Sequence, residues 1–189
     1  MKLKDKNDPV RFALVFVALF VGFYYFNIFY LGITSPGNHY SPFLTEHLNY
    51  IQWLTLGLLW CSKKALIALG YNTITNDQDL LVAGYNHIKI AYSCLGLGVM
   101  SFLAAFSIAY PKPVKEKWIF FIAGIIVVQL LNVVRFVLLA LYWDMRTTKI
   151  IDHHTIFNVV IYIIILVSIY FWTKRDFATT KKHETNQPL

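Results

Sequence analysis

The sequence predicts an all-α polytopic membrane protein with about four transmembrane helices, an outer interfacial helix and a small extracytoplasmic β-hairpin. Three observations lead to this fold class. Of the 189 residues, 57% are hydrophobic and only 14% are charged, whereas roughly a quarter of the residues in a soluble domain are charged. The hydrophobic residues form runs long enough to cross a bilayer. Basic residues lie mainly at the ends of these runs, where topology signals are found.

The first predicted span covers residues 10–33. A short basic segment, residues 1–11, leads into it, and no charged residue follows Arg11 within the run. The end of the run is aromatic, as at a membrane–water boundary, and residues 34–38 (Thr-Ser-Pro-Gly-Asn) then break the helix. Because the run is too long for a signal-peptide core and no small-residue cleavage site stands out, we expect a retained span.

Three further spans are predicted at residues 94–110, 118–143 and 154–172. A short basic loop, residues 111–117, separates the first two. A polar, lysine-containing tail, residues 174–189, follows the last span, and we expect it to be solvated and without regular structure. Residues 1–173 would then form a single membrane-embedded domain.

The distribution of basic residues predicts the orientation of the chain. By the positive-inside rule, the N-terminus, the 111–117 loop and the C-terminal tail are cytoplasmic. Residues 34–93 and 144–153 then lie on the outer side of a bacterial cytoplasmic membrane. The net charge of +7 is accounted for by these topology signals, so we expect membrane lipids and not nucleic acid as partners.

An additional helix is predicted at residues 43–70. Its apolar part, residues 48–70, could span the membrane, but both flanks lie outside in the predicted orientation and 23 residues are too few to cross twice. One helical face carries a set of polar residues, namely Thr45, Asn49, Gln52 and Lys63. We therefore expect a helix at the outer interface with its apolar face towards the membrane. The alternative, a fifth span, would place one of the basic regions outside.

Residues 71–92 are predicted to form the small hairpin. Short β-prone runs occur at residues 73–75, 80–82 and 88–90, and turn-forming residues separate them. This hairpin would lie on the outer surface and lead directly into Cys94.

Arg135 is the most informative single residue, because an arginine within a span costs roughly 2.5–3.5 kcal/mol to insert. Such residues normally face the bundle interior, a cavity or a partner, although a long side chain can instead extend to the headgroups. Arg135 lies eight residues before Trp143, about 12 Å along a helix, which predicts a position in the outer half of the bilayer. Asn132, one turn earlier, would share its face and could orient it.

The chain has two cysteines, Cys61 and Cys94, which exclude a disulfide framework but not one bridge. The sequence around Cys94, Ser-Cys-Leu-Gly-Leu-Gly, has small residues that let another group approach closely. A helix N-terminus at this position would favour a reactive thiolate. Cys61 lacks these features, and we interpret it as a packing residue.

His153 and His154 precede the last span, on the same predicted outer side as Cys94. Adjacent residues on a helix point about 100° apart, and no further ligand stands at a suitable spacing. We therefore expect neither a metal site nor another cofactor. Three distant segments are instead predicted to bring a cysteine, an arginine and a histidine to one membrane depth.

Three short motifs resemble those of the exosortase/archaeosortase family. They are Ser93-Cys94-Leu95-Gly96, Asn132-Val133-Val134-Arg135 and His154-Thr155-Ile156-Phe157. The resemblance covers about residues 40–173, and the order and spacing of the motifs make it more specific than any one of them. It implies a compact, bacterial-type member of this family of polytopic enzymes.

The resemblance implies Cys94 as nucleophile, Arg135 as the polar stabiliser and His154 as acid/base, with Asn132 and His153 in support. His154 is preferred to His153 because an aromatic residue follows three positions later, as in the family. Two positions depart from the pattern: Asn158 stands where a small residue is common, and Tyr92 stands where many members have glutamate.

The implied function is that of a cysteine protease and transpeptidase. It would cleave exported proteins at a C-terminal sorting signal, composed of a short motif, a transmembrane helix and a basic cluster. A lipid or glycan could accept the product. Two alternatives remain: a quinone-linked thiol oxidoreductase, which needs a closer cysteine pair than Cys61 and Cys94, and a non-enzymatic assembly or transport subunit in which Arg135 binds an anion.

Overall fold

A computed structural model describes residues 9–35, 41–142 and 153–184, with backbone alone for 153–154 and 175–184. The chain divides into two units, residues 1–144 and residues 145–189, and each is described by itself. Six α-helices are present among the described residues: α1 Pro9–Thr34, α2 Pro42–His47, α3 Tyr50–Ala68, α4 Leu97–Ala109, α5 Val114–Tyr142 and α6 His153–Glu184. Three strands lie between α3 and α4: β1 Thr73–Thr75, β2 Asp79–Val82 and β3 His87–Lys89.

Three of the described helices are long and apolar enough to cross a membrane. They are α1, α5 and the part of α6 from Thr155 to Lys174. The mostly helical architecture with several such spans and a small sheet confirms the predicted fold class. α6 itself continues to Glu184, so the expectation of a tail without regular structure from residue 174 is wrong for residues 174–184.

The predicted span 94–110 differs from the structure at its start. Tyr92–Cys94 forms one turn of 3-10 helix, and α4 begins only at Leu97. The helix cannot begin earlier because Gly96 has a left-handed backbone, with φ of +73°. With 13 residues, α4 is about 20 Å long, which is shorter than the hydrocarbon core of a typical bilayer, roughly 30 Å. Cys94 therefore lies in the turn before the helix and not at its N-terminus.

α1 and α4 pack together through aromatic side chains. Phe12 contacts Phe106 edge to face with the ring centroids 5.9 Å apart, and Phe16 contacts Phe102 in the same way at 5.3 Å. Phe12, Phe16 and Phe20 recur every four residues, which places them on one face of α1. Much of the rest of α1 is exposed, as expected for a helix that faces lipid.

The predicted interfacial helix 43–70 is broken into α2 and α3. The break falls at Asn49, whose side chain accepts a hydrogen bond from the backbone N–H of Gln52 at 3.0 Å and so caps α3. Two polar residues of α3, Thr55 and Ser62, face the protein interior, while Trp53 and Trp60 are exposed. The position of this helix at the outer interface stays a prediction.

The three strands form an antiparallel sheet in the order β1-β2-β3, one strand more than the predicted hairpin. Leu80 and Val82 alternate along β2 towards the core and are almost fully buried. They join a hydrophobic cluster with Leu66 of α3, Ala140 of α5 and Cys94. The sheet thus packs against the second half of α3 and the end of α5, and it leads the chain into the cysteine turn.

Candidate active site

Cys94 is held in the 3-10 turn by the backbone. Its N–H donates to the carbonyl of Ala91 at 2.9 Å, and the N–H of Leu95 donates to the carbonyl of Tyr92 at 3.1 Å. The side chain is 4% exposed. It belongs to a hydrophobic cluster that also contains Leu95, Leu97 and Phe136. The turn therefore places the thiol inside the protein, next to α5.

Gly96 fits the turn closely against α5. A Cβ atom at this position would lie 3.0 Å from Val128 Cγ1 and 3.1 Å from Asn132 Nδ2. The left-handed backbone conformation also disfavours any residue with a side chain. The expectation that small residues after Cys94 allow close approach is confirmed at Gly96, and the approaching residue is Asn132.

The face of α5 that meets this turn is buried. Its buried residues recur with helical spacing: Val128, Asn132, Arg135, Phe136 and Leu139. Arg135 and Asn132 are each 1% exposed. Arg135 is thus enclosed by protein, and the prediction that it faces the bundle interior is confirmed. Arg135 precedes Phe136, which lies in the same hydrophobic cluster as Cys94.

Gln129 connects α5 to the cysteine turn and was not predicted from the sequence. Its side-chain amide donates to the carbonyl of Leu95 at 3.3 Å and approaches the sulfur of Met100 at 3.1 Å. Its amide oxygen accepts a hydrogen bond from Asn132 Nδ2 at 3.2 Å. The signal available in the sequence was a second amide within an apolar span, three residues before Asn132.

The remaining predicted residues lie apart from this arrangement or outside the described side chains. Cys61 is exposed on α3, so the interpretation of Cys61 as a packing residue is wrong. His153 and His154 begin α6, in the second unit, and their side chains lie outside the described residues. The role of His154 therefore stays a prediction.

A polar cavity of about 400 Å³ adjoins the cysteine turn. Tyr92 and Leu95, on either side of Cys94 in the sequence, contribute to its wall. Burial raises the pKa of the Tyr92 phenol, and Tyr24 raises it further, so Tyr92 is neutral at physiological pH. Sequence reasoning identified Asn49 and Gln52 as polar positions but did not predict that they border this cavity.

Together the helices and the site define a class of protein: a polytopic membrane protein with a buried cysteine and a buried arginine on adjoining elements of its helical bundle. The model of the transmembrane exosortase family matches residues 9–176, which is most of the chain. The chain belongs to this family, as the three motifs indicated, and the match also includes α1. No curated protein and no solved structure matches the chain significantly.

Proposed function

We propose that this protein is a membrane cysteine transpeptidase that cleaves C-terminal sorting signals of exported proteins and transfers them to an acceptor. The observation that carries the proposal is the contact between the turn of Cys94 and the buried face of α5 that bears Asn132 and Arg135. Membership of the exosortase family supports the same reaction class.

The chemistry follows from the residue types. The thiolate of Cys94 attacks the carbonyl carbon of the scissile peptide bond, and the C–N bond then breaks to leave an acyl group on the sulfur as a thioester. Arg135 stabilises the negative charge that develops on the carbonyl oxygen. A guanidinium is suited to this task because it stays protonated at any physiological pH.

His154 is assigned as the acid/base by its match to the family motif. It takes the thiol proton from Cys94 and gives a proton to the leaving amine. An amine or hydroxyl of the acceptor, a lipid or a glycan, then attacks the thioester and restores the thiol. His153 and Asn132 have supporting roles, and the reaction uses no metal or cofactor.

The reaction takes place at the outer face of a bacterial cytoplasmic membrane. The basic residues around the N-terminus and in the connection between α4 and α5 are cytoplasmic by the positive-inside rule. The C-terminal end of α6 is then cytoplasmic as well. The cysteine turn follows a sheet that lies between α3 and α4, on the opposite side of the membrane from these basic segments.

The first test is co-expression with a candidate substrate from the same genome, tagged and ending in a short motif, an apolar helix and a basic cluster. Wild type is expected to shorten the substrate, with a new C-terminus detected by mass spectrometry. Cys94→Ala abolishes this processing because no thioester can form. Arg135→Ala and His154→Ala lower it by roughly 100-fold or more, the usual effect of losing one transition-state donor or acid/base group.

Cys61→Ala is the matched control, since it removes the other thiol without touching the cysteine turn. It is expected to process the substrate at the wild-type rate. Unimpaired processing by a well-expressed Cys94→Ala variant would contradict the nucleophile assignment and favour a non-enzymatic assembly or transport role. Loss of processing in Cys61→Ala as well as Cys94→Ala would favour thiol redox chemistry.

A further inference from the structure

The cavity beside Cys94 forms where several distant segments meet. It is bordered by the end of α1, by α2, by the start of α3, by the β1–β2 connection and by the cysteine turn. Its volume of about 400 Å³ lies within the range of small-ligand pockets, roughly 300–1,000 Å³. The polar residues in its wall include Thr45, Asn49, Gln52, Thr55, Gln78 and Tyr92.

The wall of the cavity combines polar side chains with apolar ones such as Leu31, Ile51 and Ile90, and it carries no formal charge. No Asp, Glu, Lys, Arg or His is among its lining residues in the described part of the chain. The hydroxyls of Thr45 and Thr55 already donate to backbone carbonyls, those of Ser41 at 3.0 Å and Ile51 at 2.9 Å. These hydroxyl oxygens can still accept a hydrogen bond.

The side-chain amides in the wall offer both donors and acceptors. Gln52 and Gln78 have no side-chain hydrogen-bond partner among the residues that the structure describes, which leaves both amides available to a ligand. Each peptide group of an extended polypeptide also presents one donor and one acceptor. The wall is therefore chemically complementary to a neutral peptide backbone, whereas a carboxylate or an ammonium group would lose its hydration without a charged partner.

An apolar recess of about 410 Å³ lies between α1, α3 and α4. Its walls include Phe23 and Asn27 of α1, Leu54 of α3 and Met100 of α4. Asn27 is one helical turn before Leu31, which borders the polar cavity. Leu95 lines the polar cavity, and Leu97, two residues later at the start of α4, lines the apolar recess.

We propose that the polar cavity binds the uncharged, extended polypeptide segment that precedes the apolar helix of the substrate, and so presents the scissile carbonyl to Cys94. This inference rests on the proposed function and assigns the part of the protein that recognises the substrate. A polypeptide is favoured over a glycan acceptor for one reason: the first chemical step needs a peptide carbonyl next to Cys94, and Tyr92 and Leu95, which flank Cys94 in the sequence, line the cavity.

Site-specific photo-crosslinking tests the proposal without requiring cleavage. In the Cys94→Ala background, Gln52 is replaced by p-benzoylphenylalanine and the protein is co-expressed with the tagged candidate substrate. Irradiation is expected to link position 52 to the segment just before the substrate's apolar helix, as mapped by mass spectrometry. The same replacement of Thr45 provides a second position in the cavity wall.

Trp60 is the matched control for crosslinking. It lies on α3 like Gln52, but its side chain is 61% exposed on the outward face. The probe at this position is expected to give no link to the substrate. Links from position 60 as strong as those from 52 and 45 would overturn the proposal, and so would capture of a sugar-bearing lipid in place of the peptide.

The two proposals fail in different ways. If processing depends on Cys94 but neither position 52 nor position 45 reaches the substrate, the cavity assignment is wrong and the transpeptidase assignment stands. If both positions reach the substrate but wild type does not cleave it, the cavity assignment stands and the reaction is wrong.

A charge exchange tests the neutrality of the cavity. Gln52→Glu keeps the shape of the side chain and adds a negative charge, so it is expected to lower processing of a substrate with a neutral segment at least tenfold. Placing a lysine in that segment is expected to restore processing by Gln52→Glu and to impair processing by wild type. Rates within twofold of wild type for Gln52→Glu on both substrates would overturn the proposal.

Discussion

Gly96 is constrained in two separate ways, by its own backbone and by its neighbours on α5. The left-handed φ of +73° alone disfavours a side chain, by about 1–2 kcal/mol. Val128 and Asn132 occupy the space where a Cβ atom would lie. A glycine two residues after a cysteine is visible in the sequence, but its contact with Asn132, 36 residues further along, depends on tertiary structure.

Gly96→Ala is expected to destabilise the protein and to displace the cysteine turn from α5. The matched control is Gly84→Ala, because Gly84 has a similar φ of +79° and a Cβ atom added there would have open space within 4 Å. Thermal unfolding in detergent should show the larger loss for Gly96→Ala, by the added cost of overpacking, about 1–3 kcal/mol. Equal losses in the two variants would mean that the contact with α5 contributes nothing.

Arg135 is enclosed by the protein, where a charged group is costly unless it is paired. Removing one member of a buried polar arrangement leaves its partners unsatisfied and costs stability, whereas Arg135→Lys keeps the positive charge. We therefore expect Arg135→Lys to unfold near the wild-type temperature, while substrate processing falls by roughly 100- to 1,000-fold because an ammonium cannot reproduce the geometry of the guanidinium. Thermal melts and the processing assay on one preparation separate the two effects. A variant that fails to fold would identify Arg135 as a structural residue.

Elements were predicted well where their own composition determines them. The bounds of α1 and of α5 lie within a few residues of the predicted spans, because an uninterrupted apolar run sets the length of a transmembrane helix. The starts of α3 and α4 were missed. The cap at Asn49 and the left-handed Gly96 fix these boundaries, and neither feature interrupts the hydrophobic pattern.

The cavity and the connection through Gln129 were missed for a related reason. The cavity wall combines short polar stretches from α1, α3 and the sheet, and no local pattern shows that they converge. Of the residues predicted for the site, Asn132 and Arg135 share the buried face that the cysteine turn contacts. Helical spacing and the cost of placing a charge in a transmembrane span were enough to predict this shared face.

Gln129 is expected to position the cysteine turn and to take no part in the chemistry. Gln129→Leu removes the hydrogen bond to the carbonyl of Leu95, and we expect processing to fall about tenfold, in line with the roughly 0.5–1.5 kcal/mol of one hydrogen bond. The rate at which a maleimide modifies Cys94 should rise, because the turn is less firmly held. Leu130→Ala, at the neighbouring exposed position of α5, should leave both rates unchanged.

At the scale of the whole molecule, the orientation of the chain in the membrane determines whether the candidate active site faces the outer side or the cytoplasm. Asp77 offers a test position, since it is exposed in the connection between β1 and β2. In intact cells that carry Cys61→Ala, Cys94→Ala and Asp77→Cys, a membrane-impermeant maleimide is expected to label position 77. In the same Cys61→Ala, Cys94→Ala background, Lys115→Cys, near the start of α5, should be labelled only after permeabilisation. The reverse pattern would invert the proposed topology and place the site in the cytoplasm.

The aromatic contact between α1 and α4 has a consequence for biosynthesis. The 62 residues between Thr34 and Leu97 take a ribosome roughly 3–12 s to synthesise at about 5–20 residues per second. During this interval α1 must remain in the bilayer without its partner, which its length and apolar surface allow. α4, too short to span alone, then finds the row of Phe12, Phe16 and Phe20 already in place. The helix that is synthesised first is thus the one that can remain in the bilayer without its packing partner.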